Sequence, residues 1–381
     1  MHARAPASRL SERIAALRAS PIREILSVID TPGMVSFAGG LPAPETFPAF
    51  SLGGVPRGAL QYGPTEGDPA LRERMACELR SIGLDCTAEQ VLILSGSQQG
   101  IDLVAKLLVD AGTPVAVESP TYLAALQAFG LFGARFVALD PGDPGRQWRE
   151  GDPPVLAYAL PTFQNPTGRC YSTAEREALA RACDEHSVIL FEDDPYRDLA
   201  YDDCDRSPIC ARLERASWVY QGSFSKTLAP GLRLGFLAAS MDLMGHLSRL
   251  KQAADLHSNR ISQWLVLEQL NDATRPQRIE RLVGIYRRKR DAFADALARQ
   301  LGAIARWQVP PGGLFFWLVL QRDIDTRALL PEAIRRGVAF MPGEPFFAGE
   351  PPRYGCLRLN FSHAGDGQVE RGLATLAQIL R

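Results

Sequence analysis

The sequence predicts an α/β fold: a large domain with a mostly parallel sheet between helices, followed by a smaller α+β domain. Three observations predict it. Short apolar runs at Val91–Leu94, Val115–Val117, Val155–Leu160, Val188–Phe191, Trp218–Tyr220 and Phe236–Ala239 read as buried strands. Helical patterns separate most of them, an alternation that builds parallel sheets. After Gly235-Phe236 the chain turns to long helical stretches and then to a small strand-bearing unit.

Taken in order, residues 30–48 are rich in Gly and Pro and read as an extended arm that must pack on something. A helix over 68–83 follows, with Asp68 as N-cap, Pro69 in the first turn, Leu71, Met75 and Leu79 on one face and Gly83 as stop. Another helix over 172–186 opens with Ser172-Thr173-Ala174-Glu175, which has the spacing of a capping box. Helical stretches over 241–271 and 276–301 precede strands at Gly313–Leu318 and Leu357–Phe361. The expected division is an N-terminal helix and arm over 1–48, a large domain over 49–283 and a small domain over 284–381.

Composition narrows the function. The 381 residues carry 42 Lys+Arg against 43 Asp+Glu, a net charge of −1, so no basic surplus matches nucleic acid or an anionic membrane surface. Nowhere does an apolar run of about 18 residues occur, the length a membrane span needs. Seven Cys, an odd number with no C-x-x-C pair, fit reduced thiols in a cytoplasmic protein. The Arg- and Ala-rich start lacks the apolar core of a secretory signal; Leu10, Ile14 and Leu17 suit an arm helix, with a transit peptide as the alternative.

In open α/β sheets ligands bind beyond the carboxyl ends of strands. Ser95-Gly96-Ser97-Gln98-Gln99 follows the first strand and enters a helix, an arrangement that suits a phosphate and equally describes an ordinary cap. Tyr122 follows the second strand and reads either as a platform for a flat ligand or as a packing residue. Asn165-Pro166-Thr167-Gly168 is a turn. Glu192-Asp193-Asp194-Pro195-Tyr196 brings acids to the same edge, but no His stands at ligand spacing, so no metal is expected and a carboxylate pairing with a cationic ring nitrogen is the alternative. Lys226, among small hydroxyl residues, suits a nucleophilic amine, and Arg233 can reach an anion.

The segment S-x-S-K-x-x-x-P-G-x-R-x-G from Ser223 to Gly235 resembles the cofactor-lysine motif of the fold-type I pyridoxal-phosphate (PLP) enzymes, the aspartate-aminotransferase superfamily. The order of the small-residue turn, the aromatic, N-P-T-G, D-D-P-Y and a late Arg agrees. Phe37–Pro42, Leu60–Gly67, Phe163–Gly168 and Lys251-Gln252-Ala253-Ala254-Asp255-Leu256-His257 resemble, more narrowly, the 2-aminoadipate aminotransferase subgroup. The same domain resembles the C-terminal half of MocR-type regulators.

The resemblance implies that Lys226 bonds covalently to PLP and moves the proton at Cα. It implies that Asp193 keeps the ring nitrogen protonated, that Tyr196 and Asn165 bind the ring 3-oxygen and that Tyr122 stacks on the ring. Gly96, Ser97, Gln98, Ser223, Ser225 and Arg233 would bind the phosphate. Tyr62 would reach the phosphate of a neighbouring subunit, which implies a homodimer. Arg358 would clamp the substrate α-carboxylate beside Gly40 and Asn165, and Arg23 would receive a distal carboxylate or else be a helix-surface Arg. Residues 140–154 and Asn360-Phe361-Ser362-His363 depart from the subgroup. The implied activity is PLP-dependent transamination from a 2-aminoadipate- or glutamate-like donor, or a broad range of L-amino acids, to a 2-oxo acid such as 2-oxoglutarate. A lyase, a decarboxylase, a rearrangement and a non-catalytic PLP sensor are the alternatives.

Overall fold

The computed structural model describes residues 11, 13–14, 32–150 and 153–381. Local signals set the first elements. Helix α1 (Pro69–Ser81) begins where Asp68 accepts from the amides of Ala70 and Leu71, and it buries Leu71, Met75 and Leu79. The arm pairs strand β1 (Val35–Ser36) in parallel with Val338-Ala339 of the small unit.

Seven strands form the main sheet: β2 (Val91–Leu94), β3 (Pro114–Val117), β4 (Arg135–Ala138), β5 (Leu156–Ala159), β6 (Ile189–Asp193), β7 (Trp218–Ser223) and β8 (Gly235–Ala239), in the order β2-β8-β7-β6-β5-β3-β4. Only β8 runs antiparallel to its neighbours, so the carboxyl ends of β2, β3, β5, β6 and β7 share one edge and β8 begins there. Helices α2 (Ser97–Leu108), α3 (Leu123–Leu131), α4 (Arg146–Glu150) and α5 (Thr173–His186) lie between strands. The capping box of α5 forms as its sequence predicts, with Ser172 and Glu175 each satisfying the other's amide.

Two expectations need correction. The stretch 241–271 is not one helix: α6 (Met241–Asp255) and α7 (Arg260–Asn271) are separated by a turn in which Leu256 takes φ 64° and Asn259 caps α7 through the Ser262 amide. Strand β4 lies outside the expected set: it is a half-exposed edge strand that starts on an exposed Arg, with Phe136 and Val137 only partly buried.

Helix α8 (Arg275–Leu301) passes through position 284 without a break. From Leu282 onward its apolar face, with Tyr286, Phe293 and Leu297, joins the cluster under the second sheet. That sheet is antiparallel, in the order β12-β13-β10-β9, built from β9 (Ala305–Arg306), β10 (Phe315–Leu320), β12 (Met341–Pro342) and β13 (Cys356–Asn360). Helix α9 (Leu330–Arg335), strand β11 (Val338–Ala339) and helix α10 (Asp366–Leu380) complete the unit. The arm is held from both sides, since the Phe37 amide donates to Ala339 O at 2.8 Å and Phe37 O accepts from Asn360 N at 2.7 Å. Ala38 and Gly40 thereby stand between the two sheets.

Among the described residues, no helix is long and apolar enough to cross a membrane, and no group of three or more His, Cys, Asp or Glu could hold a metal.

Candidate active site

The first corner is the turn from β2 into α2. Gly96 has φ 85°, a conformation that favours glycine, and a Cβ there would stand 2.6 Å from Arg233 Nη2. The glycine therefore lets the guanidinium lie against the turn. A Cβ on Gly235 would meet the Ser97 amide at 2.9 Å, so this second glycine brings the start of β8 equally close. Ser97 and Gln98 open α2, where amides lack helical partners and the dipole favours an anion. The Gln98 side chain is exposed, so its backbone N–H is what the turn offers. Ser223 pairs with Gly235 across the sheet, and its Oγ accepts from the Ser225 amide at 3.2 Å.

At the end of β6 the alternation of side chains sorts the three acids. Asp194 accepts from the Tyr220 hydroxyl at 2.8 Å, and Glu192 accepts from the Cys210 amide at 2.9 Å. Asp193 alone faces the other way, where its Oδ2 accepts from the Tyr158 hydroxyl at 2.7 Å and its Oδ1 from Gln221 Nε2 at 3.0 Å. Burial pushes its carboxyl up to about 6, against the pull of those two donors. A cation placed beside it would recover that cost.

Lys226 follows β7 and is half-buried, its Nζ donating to Gly40 O at 2.8 Å and lying 5.8 Å from the Tyr196 ring centre. Burial first, then Arg358 and Arg233, bring its amine down to about 8. Burial pushes the hydroxyls of Tyr196 and Tyr122 up, and both feel the charges of Asp193 and Arg358.

Arg358, on β13, is buried and has no carboxylate partner among the described residues. Its Nη1 donates to Asn165 Oδ1 at 2.8 Å and its Nη2 to Ala38 O at 2.6 Å, while the buried Nε has no acceptor. The guanidinium carbon lies 4.2 Å from the Phe315 ring centre and 5.1 Å from that of Phe346. Desolvation pushes its pKa down to about 10. A buried guanidinium with an orphaned donor is a site for a planar anion.

A family model described as aminotransferase class I and II matches residues 39–376. The chain belongs to this aminotransferase family. It is 38% identical to the 2-aminoadipate transaminase of Thermus thermophilus over 96% of this chain and 94% of the relative. It is 35% identical to aromatic-amino-acid aminotransferase 1 of Thermococcus litoralis, over 97% and 94%. The solved alpha-aminoadipate aminotransferase of Thermus thermophilus, complexed with N-(5'-phosphopyridoxyl)-L-leucine, superposes with a TM-score of 0.87 at 37% identity and covers 97% of both chains.

This aminotransferase therefore has the fold-type I architecture and uses PLP. The residues present fit the cofactor: an amine of lowered pKa, an uncompensated buried carboxylate and a glycine-lined turn facing an Arg. Of the residues singled out in the sequence, Gly40, Gly96, Ser97, Gln98, Tyr122, Asn165, Asp193, Tyr196, Ser223, Ser225, Lys226, Arg233 and Arg358 gather at this edge. Tyr62 does not: it is exposed, its ring centre 5.7 Å from that of His257 in an edge-on contact. Arg23 lies outside the described residues. Tyr158, Gln221 and Phe315 carry no site signal in the sequence, Tyr158 reading as an ordinary strand aromatic, whereas Gly235 stands there only as the last glycine of the Lys226 motif.

Proposed function

We propose that this aminotransferase moves the amino group of an L-amino acid, 2-aminoadipate- or glutamate-like or over a broader range, to 2-oxoglutarate, working in the cytoplasm as a homodimer. The observation that carries the reading is Arg358, a buried cation with no carboxylate partner among the described residues, which meets the same arm as Lys226: Arg358 donates to Ala38 O and Lys226 to Gly40 O. Both substrates carry a carboxylate next to the reacting carbon. One fork can serve both half reactions, and the relatives named for aminoadipate and for aromatic amino acids support a wide side-chain range.

When bound, PLP supplies an electron-withdrawing ring. The protein does the rest. Gly96, Ser97, Gln98, Ser223, Ser225 and Arg233 hold the phosphate, and Tyr122, Asn165 and Tyr196 hold the ring. Asp193 keeps the ring nitrogen protonated, braced by Tyr158 and Gln221. Arg358 fixes the α-carboxylate, which turns the Cα–H toward Lys226. The neutral Lys226 amine would then carry a proton between Cα and the cofactor's C4′ within each half reaction, in opposite directions in the two. Tyr62, exposed here, completes the phosphate site of a partner copy, so light scattering should give twice the chain mass.

Asp193→Asn keeps the shape and removes the charge. Initial rates should fall by on the order of 10² to 10³, with circular dichroism unchanged; an unaltered rate would remove Asp193 from the reading.

The function is tested by incubating the holoenzyme with 2-oxoglutarate and single amino acids and measuring the glutamate, or for a glutamate donor the labelled product, that forms. Turnover with 2-aminoadipate, leucine or aromatic donors is expected. If Arg23 receives acidic side chains, Arg23→Ala should raise KM for 2-aminoadipate about tenfold more than for leucine. No turnover with any donor contradicts the substrate reading, and equal KM changes contradict the role of Arg23.

A further inference from the structure

Lys251 lies on α6, fully buried, outside the cleft. A buried ammonium is costly unless it is paired. Four contacts pair it: Asp255 Oδ1 at 2.9 Å and Oδ2 at 3.1 Å, Gln99 Oε1 at 2.9 Å and Ser258 Oγ at 2.9 Å. The same acceptors reach the β2–α2 turn. Asp255 Oδ2 accepts from Ser95 Oγ and from Gln99 Nε2, each at 2.7 Å, and Gln99 Oε1 also accepts from the Ser95 amide at 2.9 Å. Ser258 Oγ donates to Ile93 O at 3.1 Å, which ties the network to the strand itself.

The position of these bonds gives them a purpose. The N-cap of α2 is Gly96, which has no side chain to bond the first free amides, so the usual local device that fixes a helix start is missing. Ser95 and Gln99 flank the three residues Gly96, Ser97 and Gln98, and both are gripped from beneath by the Lys251–Asp255 pair. The amides of Ser97 and Gln98 stay free on the outer side. Asp255 balances the charge of Lys251, so the lysine acts through geometry and is not itself offered to the cofactor phosphate.

We propose that Lys251 is a positioning residue for the cofactor phosphate, holding the Ser95–Gln99 turn through Gln99 and Asp255 so that the free amides face the anion. This rests on the reading that Gly96, Ser97, Gln98 and Arg233 bind that phosphate.

The test is a PLP titration of the cofactor-stripped protein, followed by the visible band and by the ³¹P resonance of the bound phosphate. Arg233→Ala is included as the control for the underlying reading. Lys251→Met should raise the PLP dissociation constant at least about tenfold and move the ³¹P resonance, with circular dichroism unchanged. If Arg233→Ala weakens PLP but Lys251→Met binds it as the wild type does, with the same resonance, the inference is overturned. If Arg233→Ala has no effect, the phosphate reading fails and takes the inference with it. Should Lys251→Met not fold, Gln99→Ala decides: it leaves the Lys251–Asp255 pair intact, a weakened PLP affinity supports the proposal, and wild-type affinity overturns it.

Discussion

Lys226→Ala is expected to lower transamination by at least about 10⁴-fold, because one substitution removes both the nucleophile and the proton carrier. The size follows from the site. The other lysines pair with Asp102, Asp255 and Glu45, and among the described residues the Lys226 amine has one hydrogen-bond partner, Gly40 O. Its lowered pKa makes the same point through pH. An ordinary lysine titrates at 10.5, whereas burial and the nearby Arg358 and Arg233 bring this one to about 8. The neutral, reactive fraction therefore grows as pH rises through about 8. The rate at which the cofactor-free protein captures PLP should climb over that range and level off above it, as read by stopped-flow absorbance. A rise only near 10.5 would show an ordinary surface amine.

Arg358→Lys should cost roughly 3 kcal/mol, a hundredfold or more in kcat/KM, for both the amino acid and the oxo acid. The charge survives but the fork does not. Asn165 and Ala38 fix the plane of the guanidinium from one side, and Phe315 supports its face. A lysine ammonium cannot hold that plane while meeting a carboxylate with two parallel bonds. Simple amine donors, which lack the carboxylate, should lose nothing further. Steady-state kinetics on an amino acid and its amine analogue separates this from general damage; an equal loss on both would remove the carboxylate clamp.

The elements legible in the sequence were those fixed by short-range chemistry. The Asp68 cap, the Ser172–Glu175 box and the buried strands need only neighbours a few residues away. The order of motifs along the chain, from Gly96 to Arg358, was legible because each follows its own strand. What escaped depends on distant partners. Strand β4 takes its place from β3, and its short apolar run Phe136-Val137-Ala138 stays half-exposed at the sheet edge. The break at Leu256 has no glycine or proline to announce it, and it is set by Ser258 reaching back to Ile93. Tyr158 and Gln221 meet Asp193 only once β5, β6 and β7 lie side by side. Asp193 could be chosen over Asp194 from the residues alone only by analogy; the strand's alternation gives the physical reason.

The measurement that tests the central claim most directly is the visible absorption spectrum of the purified protein, titrated with single amino acids and then with 2-oxoglutarate, with Lys226→Ala as control. The account predicts a yellow band that bleaches with a donor such as 2-aminoadipate or leucine, returns on adding the oxo acid, and is absent in its wild-type form from the variant. A band that never bleaches reversibly with any donor, or that persists unchanged in Lys226→Ala, would contradict it.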